Sequence, residues 1–119
     1  MFEKKGENVN GQEKIVRYFL EEVKKVAKKK IVYTEHVLDE MNAEEEIISC
    51  DELKEVIFKG EIIEDYPNDK RGHSCLMFSY TFKGRPVHIV CSPKEVYLGI
   101  ITAYIPTLDK WMEDFKTRR

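Results

Sequence analysis

The sequence predicts an α+β domain, with N-terminal helices packed on a four-stranded, mostly antiparallel sheet and a C-terminal helix closing the chain. Two observations carry this. Between Ser74 and Pro106, three runs rich in β-branched, aromatic and aliphatic residues are parted by Lys83-Gly84 and by Ser92-Pro93-Lys94-Glu95, the pattern of an antiparallel meander. Segments of helical period lie before and after this block and not between its strands, which separates α+β from alternating α/β.

The elements follow in order. Residues 1–11, with Gly6, Asn8, Asn10 and Gly11, read as a flexible tail. From Gln12 to Lys30 apolar residues recur at Val16, Phe19/Leu20, Val23 and Val26/Ala27, an amphipathic helix. Its end carries Lys24, Lys25, Lys28, Lys29 and Lys30, which suit the negative end of the helix dipole and are equally able to contact phosphates. Ile31-Val32-Tyr33 is too short to type. Thr34 is an N-cap for a short helix from Glu35 to about Met41. Ser49 and Glu52 form a capping box for a second, which Gly60 stops, and Glu44-Glu45-Glu46 between them reads as a solvated acidic turn. EIIEDYP (61–67) gives the first strand, and a loop at 68–72 leads into the three meander strands. Leu108, Trp111, Met112 and Phe115 fall on one face of the expected last helix.

One domain spanning residues 1–119 is expected from the length. No apolar run approaches the ~20 residues that span a bilayer, and the opening residues lack a signal-peptide core, so the expected location is cytoplasmic, off the membrane. Cys50, Cys75 and Cys91 are odd in number with no C-x-x-C spacing and read as free thiols. The net charge of −2 hides an uneven distribution: +4 over residues 1–30, −11 over 31–69 and +5 over 70–119. Neither a P-loop, a dinucleotide fingerprint, a G-x-S-x-G elbow nor H-E-x-x-H occurs. His36, His73 and His88 match no metal-ligand spacing, so no metal and no cofactor is expected.

Strand alternation assigns side chains to faces. Leu76, Phe78, Tyr80 and Phe82 share one side of their strand, against Cys75, Met77, Ser79 and Thr81. Giving the oilier sides to the helices leaves a second, partly open face with Ser79, Thr81, His88, Thr102 and Tyr104. His and Tyr can exchange protons, and Arg85 can clamp a phosphate with two donors. That set fits metal-independent RNA cleavage, which needs a base for the ribose 2′-hydroxyl, an acid for the leaving oxygen and a cation for the phosphorane charge. A lone strand histidine is equally read as a satisfied, half-buried residue, and His36 as a surface residue of its helix; His73 reads as solvated.

YTEHVLDEM (33–41), GEIIEDYPNDK (60–70), SCLMFSYTFKGRPVHIVCS (74–92) and IITAYIPTLDKW (100–111) together resemble a domain-of-unknown-function family, number 4258, regarded as a group of RelE/MqsR-like toxins. The resemblance covers residues 31–119. It implies a ribonuclease-toxin fold with a curved sheet, metal-independent cleavage of messenger RNA, and a cognate antitoxin that resembles a zinc-finger, DNA-binding protein. His36, His88 and Tyr104 then take the catalytic positions, with Arg85, Thr102, Tyr80, Lys70 and Arg71 binding substrate. Members of this family often carry arginines where this chain has Glu40 and the 44–47 segment. The alternative expectation is therefore a catalytically degenerate, non-enzymatic domain that pairs with a partner protein.

Overall fold

The computed structural model describes residues 11–45 and 47–119. The expected N-terminal tail, apart from Gly11, and Glu46 of the acidic turn lie outside the described residues. Helix α1 (Gly11–Lys29) is followed by strand β1 (Ile31–Tyr33), helices α2 (Glu35–Ala43) and α3 (Cys50–Lys59), and strands β2 (Glu61–Tyr66), β3 (Ser74–Tyr80), β4 (Pro86–Pro93) and β5 (Leu98–Tyr104). The sheet is five-stranded and mixed, in the order β1-β5-β4-β3-β2. The expectation of four strands missed Ile31–Tyr33, which pairs in parallel with β5 from Ile31↔Leu98 to Tyr33↔Ile100. A three-residue run carries no readable period, so only its partner makes it a strand.

The local signals at the helices hold. Thr34 accepts from the Val37 amide at 3.0 Å. The Ser49/Glu52 capping box is complete. Gly60 ends α3 by closeness, since a Cβ there would sit 2.4 Å from the Val56 carbonyl oxygen and 2.6 Å from that of Phe78. The turn from β3 to β4 needs Gly84, whose φ of 77° lies in the left-handed region.

The three helices cover one face of the sheet. Val23, Val26, Val37, Leu53, Val56 and Ile57 meet Cys75, Met77, Val87, Ile89, Leu98 and Ala103 in one core. This corrects the face assignment of β3: Cys75 and Met77 point to the helices, and Leu76 and Phe78 to the other side. Phe78 stands opposite His88, so the oilier side of β3 lies on the His88 face. A register shift between Val90 and Cys91 likewise turns Ile100 into the core. Cys75 and Cys91 are buried with their sulfurs 4.0 Å apart, whereas Cys50 is exposed.

The expected C-terminal helix does not form. Lys110 and Trp111 amides reach back to the Thr107 carbonyl for one turn, then the chain folds into a small hairpin closed by Met112 N–H to Thr117 O (2.8 Å) and Arg119 N–H to Lys110 O (3.0 Å). The Asp114 carboxylate takes the Lys116 and Thr117 amides, a local competitor to helix bonding. This strap, residues 107–119, crosses the second sheet face. It is tied to β2 by Arg118 on Glu64 (2.7 and 3.0 Å) and Lys116 on Glu61 (2.8 Å).

Two carboxylate devices hold the periphery. β1 covers only the first residues of β5, leaving the later edge amides without a neighbouring strand. Glu40 accepts from Ala103 N–H (3.2 Å) and the Thr102 hydroxyl (2.5 Å), and Glu44 from Ile105 N–H (3.1 Å). An i, i+4 step on a helix and an i, i+2 step on a strand both advance about 6–7 Å, so α2 lays its acids along that edge in register.

The second device is Glu52, fully buried. Its carboxylate receives Arg85 through two nitrogens (2.8 and 2.7 Å), the Thr81 hydroxyl (2.8 Å) and the Ser49 amide (3.1 Å). Arg85, ahead of the other bonds, holds the carboxyl down to about 2 from its ordinary 4.5. Glu52→Ala strands the half-buried guanidinium of Arg85 and is expected to cost about 3 kcal/mol in urea unfolding, the low end for a buried pair because Arg85 keeps some solvent contact. Because the folded-state value is depressed, this stabilisation is complete above the unfolded value of 4.5 and fades as pH falls toward 2. Acid titration of the wild-type unfolding midpoint is expected to show that loss, and Glu52→Gln to flatten it.

Candidate active site

β4 and β5 place His88 directly opposite Tyr104, with Phe78 of β3 on His88's other flank. The rings of Phe78, Tyr104 and Trp111 meet the imidazole edge-on at 5.6, 5.3 and 4.5 Å. His88 is fully buried and Trp111 nearly so. Burial pushes the imidazole below its ordinary 6.5, against a smaller upward pull from the Phe115 carbonyl and the Glu64 charge. At neutral pH that shift favours the uncharged ring, and its neighbours fix where the proton sits. Nε2 lies 2.7 Å from the Phe115 carbonyl oxygen, which only accepts, so Nε2 donates. Nδ1 is then an acceptor, 3.2 Å from the Tyr104 hydroxyl. Burial in turn raises Tyr104 above 10.

Phe115 reaches that point with a φ of 57°, the one left-handed non-glycine backbone among the described residues. Such a conformation costs of order 1 kcal/mol and persists where the surroundings enforce it. Here the strap's turn and the His88 bond do so.

Tyr104 is half-buried and opens onto a cleft of about 340 Å³, lined by Pro106, Thr107, Lys110, Trp111 and Arg118 as well. Arg118 lies 4.6 Å above the Trp111 ring and is held by Glu64. The cleft therefore carries two cations, a hydroxyl backed by a buried base, and no carboxylate in its lining.

The other expected site residues are dispersed. Tyr80 is exposed on the same face, edge-on to Phe78 and Phe115. Thr102 donates to Glu40. His36 is 72% exposed on α2, with Nε2 3.6 Å from Glu40; it joins the β5 edge and not the cleft. Arg85 is bound to Glu52 and to the Ile47 carbonyl. Lys70 is exposed in the loop after β2. Arg71 of that loop is clamped by Asp69 at 3.0 Å and lines a separate, smaller depression with Lys94 and Tyr97. His73, read as solvated, stacks on Phe19 at 3.6 Å and bonds Asp65 at 2.6 Å, pinning α1 to the sheet. Among the described residues no three His, Cys, Asp or Glu side chains converge to hold a metal ion, and no helix is long and apolar enough to cross a membrane.

Sequence reading missed Lys110, Trp111, Arg118 and the Phe115 carbonyl. The signal available was the basic tail after an amphipathic stretch; the helical spacing assigned to it hid the hairpin.

The tautomer is open to test by ¹⁵N NMR of the imidazole. His88 is expected as the Nε2–H form, staying neutral as pH falls through 6.5. Since the unfolded chain takes that proton first, folding stability is expected to decline as pH drops below 6.5. Phe115→Gly, which keeps the left-handed backbone, is expected to preserve the Nε2–H form. Phe115→Val, which penalises that backbone by about 1–2 kcal/mol, is expected to mix the tautomers.

No curated protein and no solved structure matches the chain. A family model does, over residues 33–105, from Tyr33 through the end of the meander, leaving α1 and the strap outside the match. The pairing of His88 with Tyr104 falls inside it, and the chain belongs to this family, DUF4258, a domain of unknown function.

Proposed function

We propose that the chain is a metal-independent ribonuclease of the toxin type, cleaving RNA by attack of a ribose 2′-hydroxyl on its own phosphodiester. One observation carries the reading: Tyr104 lines a cation-bearing cleft, and its hydroxyl bonds a buried His88 whose other nitrogen is engaged.

That geometry makes a relay. The 2′-hydroxyl gives its proton to the Tyr104 oxygen as the Tyr104 proton passes to His88 Nδ1. The imidazolium so formed keeps its Nε2–H on the Phe115 carbonyl and gains from the Glu64 charge nearby. The oxygen attacks phosphorus in line, the 5′-oxygen leaves on the opposite side taking its proton from water, and the relay resets by giving its proton back to water through Tyr104. The products are a 2′,3′-cyclic phosphate and a 5′-hydroxyl. His88 thus reaches substrate only through Tyr104. The phosphorane charge is met by Lys110, in the place first expected for Arg85, and His36 has no part in the relay. Assignment to toxins of the RelE/MqsR kind, with a cognate antitoxin, rests on the motif resemblance.

A second reading is favoured by the locked Arg85 and the sealed His88: a non-catalytic domain that pairs with a partner chain, its polar groups serving the fold.

Purified protein in the presence of chelator is expected to cut single-stranded RNA to cyclic-phosphate ends. Tyr104→Phe is expected to slow this about 10²–10⁴-fold while costing only about 1 kcal/mol of stability from the lost hydrogen bond. The rate is expected to fall off at lower pH than it would with a free imidazole as base, because burial lowers the affinity of His88 for a proton. Intact RNA after incubation with folded wild type sinks the ribonuclease reading and leaves the binding domain.

A further inference from the structure

From Arg71 to Arg119 the cations are mostly engaged. Arg85 and Lys83 face Glu52, Arg71 faces Asp69, Arg118 faces Glu64 and Lys116 faces Glu61. Arg119 serves the Leu108 and Trp111 carbonyls. Lys110 is different. It lines the cleft beside Tyr104, and no carboxylate of the described residues pairs with it. Asp109, its neighbour, accepts from the Thr107 hydroxyl and offsets part of the Lys110 charge without an ion-pair contact.

The cleft has the dimensions of a small-ligand site, which typically starts near 300 Å³. Its chemistry is one-sided. Lys110 offers a compact ammonium suited to a phosphate, and Arg118 adds positive field from the rim, partly offset by Glu64. The Tyr104 hydroxyl has committed its hydrogen to His88 Nδ1, so toward the cleft its oxygen presents only lone pairs. It accepts a hydrogen bond there and repels an anion. A ligand that satisfies both ends carries a phosphate next to a hydroxyl donor.

We infer that this cleft is a subsite for a ribonucleoside 3′-phosphate, with Lys110 holding the phosphate and Tyr104 receiving the adjacent 2′-hydroxyl. The inference rests on the Tyr104–His88 relay for its orientation and names what the relay's site grips. It also assigns the anion ligand to the strap, outside the family-matched segment, where the matched segment's own Arg85 is consumed by Glu52.

The test is an NMR titration of the full chain in chelator, with adenosine 3′-monophosphate, its 2′-deoxy counterpart and inorganic phosphate as probes. Adenosine 3′-monophosphate is expected to shift the amides of Thr107, Lys110 and Trp111 and the Tyr104 ring. The deoxy probe is expected to bind more weakly. Lys110→Gln, at an exposed position, is expected to weaken binding about tenfold or more with an unchanged unfolding midpoint. Shifts confined to the Arg71–Lys94 depression, no binding at all, equal binding of ribose and deoxyribose, or a Lys110→Gln variant that binds as well as wild type would each overturn it. The two readings fail separately. Nucleotide bound at Lys110 beside uncut RNA removes the catalysis and keeps the subsite; RNA cleaved without nucleotide binding there does the reverse.

Discussion

The architecture depends on one buried carboxylate. Glu52 sits at the start of α3 and is sealed from solvent, where an unpaired charge would be prohibitive. It is tolerated because its oxygens are shared among the helix N-terminus, Thr81 at the end of β3 and Arg85 at the start of β4. α3 and the β3–β4 hairpin, separated along the chain by 29 to 33 residues at these contacts, are therefore fixed to a single point. Glu55, one turn on, adds a bond to the Phe82 amide in the same hairpin turn (2.7 Å). With that corner set, α3 lies across β3 and β4 and the apolar contacts of the core fall into place. The cost is functional: the guanidinium face that pairs with the buried carboxylate is not available to clamp a phosphate.

The opposite sheet face is governed by a second polar demand. A histidine in the middle of a five-stranded sheet has two nitrogens to satisfy. Tyr104 meets one from the neighbouring strand, and the other calls for a carbonyl from above the sheet. The strap supplies it through Phe115, in a backbone conformation a phenylalanine rarely adopts. Trp111 then fills the space over the ring and Arg118 closes over the tryptophan. The surface ion pairs to Glu61 and Glu64 are individually weak; the buried aromatic contacts and the His88 bond carry most of the attachment. The outcome is a base without solvent access that still reaches the surface through one hydroxyl.

The acidic segment finds a physical role in the same terms. Glu40 and the 44–47 segment stand where the resembling family often carries arginines, and acids facing an RNA site read as repulsion. In the fold the Glu40 and Glu44 carboxylates turn to the open edge of β5 and accept its amides. An arginine has no acceptor to offer there, so these positions serve the sheet edge in this chain. That also blunts an edge otherwise open to strand addition.

What the sequence settled by itself was local. Helix starts at Thr34 and Ser49, the stop at Gly60 and the turn at Gly84 all depend on residues within a few positions of one another. Alternation placed His88 and Tyr104 on one face, and the strand register then set them directly opposite each other. Everything that depended on distant partners waited for the tertiary structure. Ile31–Tyr33 became a strand because β5 offered an edge. The faces of β3 were inverted because both were apolar, and alternation cannot say which of two oily sides meets the helices. Residues 107–119 kept a helical spacing yet folded as a hairpin, because Asp114 captured the amides a helix would have used and His88 needed a carbonyl. Arg85 looked like a ligand for phosphate until a glutamate 33 residues earlier took it, and no pattern in the chain's order announces a pairing of that kind.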